Sequence, residues 1–94
     1  MMKLKLKNDD NENKIYTLVD GQECVLNFRM KDANVIEFYR TFVPMKLRNK
    51  GIAAKLVEFG LNYAHEQNKK VLPTCSYVRA YIDKHPKWSA VVEQ

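Results

Sequence analysis

With 94 residues the chain has room for one domain, and a chain of this size buries only about 60–65% of the surface that its unfolded form exposes. Hydrophobic residues at 46% and charged residues at 29% exclude a disordered or fibrous class, and no apolar run reaches the roughly 18 residues of a membrane span. Sixteen Lys and Arg against 11 Asp and Glu leave a formal charge of +5, which favours an anionic partner.

The start, Met1-Met2-Lys3-Leu4-Lys5-Leu6-Lys7, alternates lysine with leucine where a signal peptide would carry an apolar core, so a cytoplasmic protein with no membrane partner is expected. Residues 3–7 read as a short edge strand or a loosely ordered arm, and Asn8 to Asn13 as a polar turn. Lys14 to Val19 is rich in β-formers, and Asp20-Gly21 is a strong turn signal. From Glu23 to Met30, Cys24, Leu26, Phe28 and Met30 alternate with Glu23, Val25, Asn27 and Arg29, which predicts a hairpin with one buried face.

Asp32-Ala33-Asn34 supplies a second turn, and Val35 to Val43 is a third strand with bulky residues on both faces, so a helix is expected across one of them. Pro44 stops that strand. From Gly51 to about Glu66, Ile52, Ala53, Leu56, Val57, Phe59, Gly60, Tyr63 and Ala64 recur at helical spacing, and Gly60 makes sense if backbone packs closely there. Asn68-Lys69-Lys70 ends the helix, and Val71 to Cys75 is a short buried strand. Ser76 is expected to cap a second helix from Tyr77 to about Lys84, ended by His85-Pro86, with Trp88 packing back on the domain. Strand, helix and strand form a β-α-β unit with its two strands parallel. The expected fold is thus a single α/β (α+β) domain over residues 1–94, with a mixed antiparallel and parallel sheet of four to five strands and two helices.

The charge is concentrated where the third strand meets the first helix. Arg40, Lys46, Arg48, Lys50 and Lys55 fall close together, and the turn Arg48-Asn49-Lys50-Gly51-Ile52-Ala53 opens the helix. The first N–H groups of a helix lack internal partners and carry positive partial charge, so a basic turn with one glycine at this point is a plausible anion cradle. In a β-α-β unit the turn 45–50 and the strand end Thr74-Cys75-Ser76 lie at the same end of the sheet, where α/β ligands sit. Cys24 and Cys75 lie far apart with no CxxC, which fits neither a disulfide scaffold nor a metal knuckle. His65 and His85 read as exposed or capping residues, and no metal site is expected.

Four motifs occur in order: Thr41-Phe42-Val43-Pro44, Arg48-Asn49-Lys50-Gly51-Ile52-Ala53, Pro73-Thr74-Cys75-Ser76-Tyr77-Val78 and Pro86-Lys87-Trp88. The second resembles the coenzyme A pyrophosphate loop of the GCN5-related N-acetyltransferases, the GNAT superfamily. Together the four resemble a short-chain branch of that superfamily, over roughly residues 14–88. The resemblance implies a minimal GNAT-like fold, acetyl-CoA as cosubstrate and an unknown amine or protein acceptor, in a monomer or small homo-oligomer. It implies that amides around Arg48, Asn49, Lys50, Gly51, Ile52 and Ala53 bind the pyrophosphate, and that Phe42 and Val43 hold the pantetheine arm through backbone hydrogen bonds. Lys46, Arg48 and Lys50 are the nearest cations.

Many members of that branch carry histidine directly before the threonine, where this chain has Arg40, so a histidine base is missing there. Cys75 stands at a strand end before a helix start and near the basic turn, which favours its thiolate, and it is the candidate nucleophile or acetyl acceptor. Its alternative is a small buried hydrophobe. Tyr77 is a candidate general acid for the coenzyme thiolate, or a packing residue. Rival readings are a CoA-binding or interaction module without catalysis, and a nucleic-acid-binding domain, which the lack of a recognisable nucleic-acid motif disfavours.

Overall fold

The computed structural model describes residues 3–93. Short left-handed turns set its reversals. Asn13 takes φ 53° after β1 (Lys7–Asp9), and Asp20 and Gly21 take φ 51° and 74° between β2 (Lys14–Val19) and β3 (Gln22–Asp32). Two successive positive-φ residues match the right-handed twist of a hairpin, and Asp-Gly adopts them at low cost. β4 (Val35–Phe42) pairs antiparallel with β3, and β5 (Lys70–Pro73) pairs parallel with β4. The sheet order is β1-β2-β3-β4-β5.

The helix α1 (Ile52–Glu66) crosses from the end of β4 to the start of β5, as parallel pairing requires. Its buried residues Ile52, Leu56, Val57, Leu61 and Ala64 follow helical spacing and join Ile15, Leu26, Phe38 and Val71 of the sheet in one cluster. Asn68, at φ 58°, ends it, with Lys69 N–H returning to Ala64 O at 2.9 Å. The second helix, α2 (Ser76–Lys84), adds Val78 and Ile82 to the same cluster. A 3-10 segment, Pro86–Val91, brings Trp88 and Val91 back onto it, as expected for the C-terminal tryptophan.

Several local expectations are corrected. The edge strand is at Lys7–Asp9, not residues 3–7, so the polar turn is shorter than Asn8 to Asn13; Leu4 and Leu6 instead pack against the core. Cys75, not Ser76, is the N-cap of α2, and no side chain bonds there. Met30 is 42% exposed, because β2 pairs with β3 only as far as Lys14↔Asn27 and leaves Met30 beyond the strand that would flank it. The helix expected across one face of β4 is α1, which packs on Ile36 and Phe38. A register shift at Asn27/Phe28 leaves Tyr39 as an extra residue, and Tyr39 and Phe42 are exposed under Arg29 and Arg40, whose guanidinium groups lie 4.0 and 5.2 Å from the ring centroids. These two rings are covered by cation–π partners.

Burial has one consequence for pH. It pushes the Cys24 thiol above its ordinary 9.0, and the phenols of Tyr63, Tyr77 and Tyr81 above 10.0. The folded chain then holds these protons more tightly than the unfolded chain, so folding stability falls as pH rises through the unfolded thiol and phenol range. Urea midpoints are expected to be flat around neutrality and to drop from about pH 9 upward. A midpoint unchanged to about pH 11 would contradict this.

Candidate active site

β4 and β5 separate at one point. Their pairing ends at Phe38↔Pro73, and the final backbone link is Cys75 N–H to Phe38 O at 3.0 Å. Beyond it β4 runs on through Tyr39–Phe42 without a β5 partner, while the chain after Cys75 turns into α2. An extended strand edge of this kind presents free backbone groups to a ligand that can add to it.

The turn that follows is pinned at both ends and open between them. Pro44 starts a single 3-10 turn, Met45–Leu47, in which Leu47 N–H bonds Pro44 O at 2.8 Å, and Leu47 is buried. Ile52, the first residue of α1, is buried too. Between these anchors Asn49 and Gly51 take φ 65° and 81°, so the backbone curls back on itself. The Arg48 side chain braces the curl, its Nε donating to Val43 O at 2.8 Å.

Gly51 is the N-cap of α1 and has no side chain with which to cap it. The first helical bond is Lys55 N–H to Gly51 O at 3.2 Å, so the amides of Ile52, Ala53 and Ala54 emerge from the helix end without an internal partner. Helix N-termini usually satisfy these donors with Ser, Thr, Asp or Asn. Leaving them free, beside an arginine and with no acidic residue in the first turn, gives a site for negative charge.

A cavity of about 370 Å³ lies between the open edge of β4 and this helix end. Phe42, Val43, Arg48, Asn49, Gly51, Ile52 and Ala53 line it, together with Tyr77 from the first turn of α2. Lys46 and Lys50 are exposed on the turn and outside the lining. Tyr77 is 40% exposed, and burial of the rest keeps its phenol protonated beyond the ordinary range. Thr41 and Leu47 also line the cavity and were not singled out by the sequence reading.

Cys75 is half-buried and is not among the residues that line the cavity. Its Sγ is 3.4 Å from Oγ1 of Thr41, which does line the cavity. Thr41 occupied the first position of the Thr-x-Val-Pro motif, but its partner is 34 residues away and no local pattern announces it. His85 caps α2, with Nδ1 2.8 Å from Tyr81 O and its ring stacked on Tyr81; neither histidine lines this cavity. Among the described residues, no group of three or more His, Cys, Asp or Glu is placed to hold a metal. No helix among them is long and apolar enough to cross a membrane.

Comparison with known proteins agrees on the fold. Protein NATD1 of Mus musculus is 24% identical over 85 residues, covering 88% of this chain and 77% of its own length. The Homo sapiens protein of the same name is also 24% identical, with 88% and 75% covered. A GCN5-like protein from Staphylococcus aureus, solved by NMR, superposes with a TM-score of 0.76 at 27% identity, over 99% of this chain and 91% of its own. Ard1 from Thermoplasma volcanium shares the fold, with a TM-score of 0.63 at 17% identity, over 80% of this chain and 55% of its own. The sequence profile of the GCN5-related N-acetyltransferases matches residues 14–91, which takes in every strand and helix from β2 to the C-terminal 3-10 segment, and the chain belongs to that family.

Proposed function

We propose that the protein binds acetyl-CoA and transfers its acetyl group to an amine acceptor. The observation that carries this reading is the uncapped start of α1 beside the unpaired end of β4. The free amides of Ile52, Ala53 and Ala54, with Arg48, suit the pyrophosphate. The open edge at Phe42 and Val43 suits the amide-bearing pantetheine arm, which would add to β4 as another strand does. The thioester would then lie toward Thr41 and Tyr77.

Two routes fit those residues. In direct transfer the amine nitrogen bonds to the acetyl carbon, the carbon–sulfur bond breaks, and the sulfur leaves with the electron pair and takes a proton from Tyr77, which then recovers the proton released by the amine. In the second, the Cys75 thiolate attacks first, forming its own acetyl thioester as the coenzyme sulfur leaves and is protonated; the amine then attacks that thioester. Thr41 is the positioning residue for the second route, because its hydroxyl is the group in contact with Cys75 Sγ. Loss of a hydrogen bond to a charged sulfur costs about 1.5 kcal/mol, or roughly tenfold. Mass spectrometry is therefore expected to show acetyl-Cys75 forming about tenfold more slowly in Thr41→Val and near the wild-type rate in Thr41→Ser. Equal rates in both variants would remove Thr41 from the mechanism.

A second reading, coenzyme A binding without catalysis, is favoured by the position of Cys75 outside the cavity lining. A screen of acetyl-CoA turnover against amines, peptides and polyamines tests the main reading, with binding followed separately by amide resonance shifts in residues 48–54. Shifts there with no turnover would select the second reading. No shifts would remove both.

A further inference from the structure

Helix α1 spans about 22 Å, and a second cavity lies at the opposite end from the cradle. The last turn of α1, the turn into β5 and the segment Pro86–Val91 border this cleft of about 590 Å³. His65, Lys69, Lys70 and Lys87 stand on its walls and no carboxylate does. The four ion pairs among the described residues use Lys14, Arg29, Lys31 and Lys55, so the three lysines of the cleft have no carboxylate partner there.

Two of these lysines are held in place. Lys69 Nζ donates to Ala33 O at 2.9 Å and Lys70 Nζ to Ala90 O at 2.7 Å. An ammonium has three donors, so each keeps two for a ligand. The third, Lys87, lies over the Trp88 ring with Nζ 5.4 Å from its centroid. Trp88 is only 8% exposed, and its buried indole Nε1 has no hydrogen-bond partner among the described residues. An orphaned buried donor is costly and calls for an acceptor.

The C-terminus of a helix normally repels anions, but here three of the last four carbonyls are already satisfied. Tyr63, His65 and Ala64 accept from the backbone N–H groups of Gln67, Asn68 and Lys69. That blunts the negative pole and leaves the lysines to set the local potential.

We propose that this cleft binds a small multivalent anion of the phosphate type, with Lys69, Lys70 and Lys87 as its cations and an anion oxygen reaching the Trp88 N–H as Lys87 swings from the ring onto the ligand. The site is separate from the cradle, and the proposal does not depend on the acetyl-CoA reading. Trp88 is the one tryptophan of the chain, so its indole N–H resonance reports on this cleft alone. The test is a titration of isotope-labelled protein with inorganic pyrophosphate at constant ionic strength. The Trp88 indole resonance is expected to move saturably, to need about tenfold more pyrophosphate in Lys87→Gln, and to respond unchanged in Gly51→Glu, which alters the cradle. A resonance that stays still, or that sodium chloride moves equally, would overturn the proposal. So would an undiminished response in both Lys87→Gln and Lys69→Gln.

Discussion

Gly51→Glu is expected to weaken coenzyme A binding about a hundredfold while the domain stays folded. Two effects combine at this position. A Cβ at Gly51 would meet nothing within 4 Å, so space is not the obstacle. The backbone is: φ 81° lies in the left-handed region, where a residue with a side chain costs about 1 kcal/mol or more. The second effect is charge, since Gly51 lines the cavity and caps α1. A carboxylate there competes with pyrophosphate for the amides of Ile52, Ala53 and Ala54 and repels it across a few ångströms, a penalty of about 2–3 kcal/mol after screening at a surface site. Gly51→Ala separates the two effects. It carries the strain without the charge, and is expected to lower stability by about 1 kcal/mol with only a few-fold loss of affinity. Calorimetric titration of both variants with coenzyme A checks this, and an unchanged affinity in Gly51→Glu would show that the helix end is not the cradle.

The geometry of the turn that opens α1 was legible in the sequence because it is local. A strand stopped by Pro44, a buried anchor at Ile52, a glycine between them and an amphipathic repeat after them are all written within a few residues, and each has one physical meaning. The sheet was legible for the same reason, since alternation on β3 and the Asp20-Gly21 turn fix the hairpin register. The rest depends on where strands stop pairing. Met30 obeys the alternation of β3 and is still exposed, because β2 ends before reaching it. Tyr39 and Phe42 are among the bulky residues of β4, and the register shift at Asn27/Phe28 goes with their exposure under arginine side chains. Cys75 could be placed near the turn before α1 from topology, but its contact with Thr41 arises where β4 and β5 stop pairing.

That open face bears on the acceptor. Lys14 pairs with Glu23 and Arg29 with Glu37, while Arg40 keeps its charge and is held by Asn27 Oδ1 and the Phe42 ring. Val25 lies among them, buried yet outside the main core cluster. A surface with exposed aromatic edges offers an acceptor contact area without a deep pocket. Under the proposed acetyl transfer such a surface would suit a peptide or another extended amine, and the acceptor screen sorts these classes directly.

Gly60→Ala is expected to destabilise the domain by about 1–2 kcal/mol, against the sign that helix propensity alone predicts. Alanine at an exposed helical position gains about 1 kcal/mol over glycine. At Gly60 the added Cβ would lie 2.7 Å from Leu26 Cδ2, 3.0 Å from Phe38 Cζ and 3.3 Å from Ile15 Cδ1. All three neighbours are fully buried, so none can swing into solvent, and relief comes from shifts of these side-chain ends within the packed core or from a lift of α1 off the sheet. Overpacking of this kind costs about 1–3 kcal/mol beyond what propensity returns. For a domain of this size the melting temperature should fall by about 5–10 °C. Leu26→Val supplies the control, because it removes the atom at 2.7 Å. The two substitutions are then expected to be less harmful together than their sum by about 1 kcal/mol. Melting of the four proteins decides it: a Gly60→Ala variant as stable as the parent would mean that the helix does not rest on the sheet through its backbone at this residue. Because α1 also carries the proposed coenzyme A cradle at its first turn, a lift at Gly60 should weaken coenzyme A binding as well, while Leu26→Val in the same background should recover part of that loss.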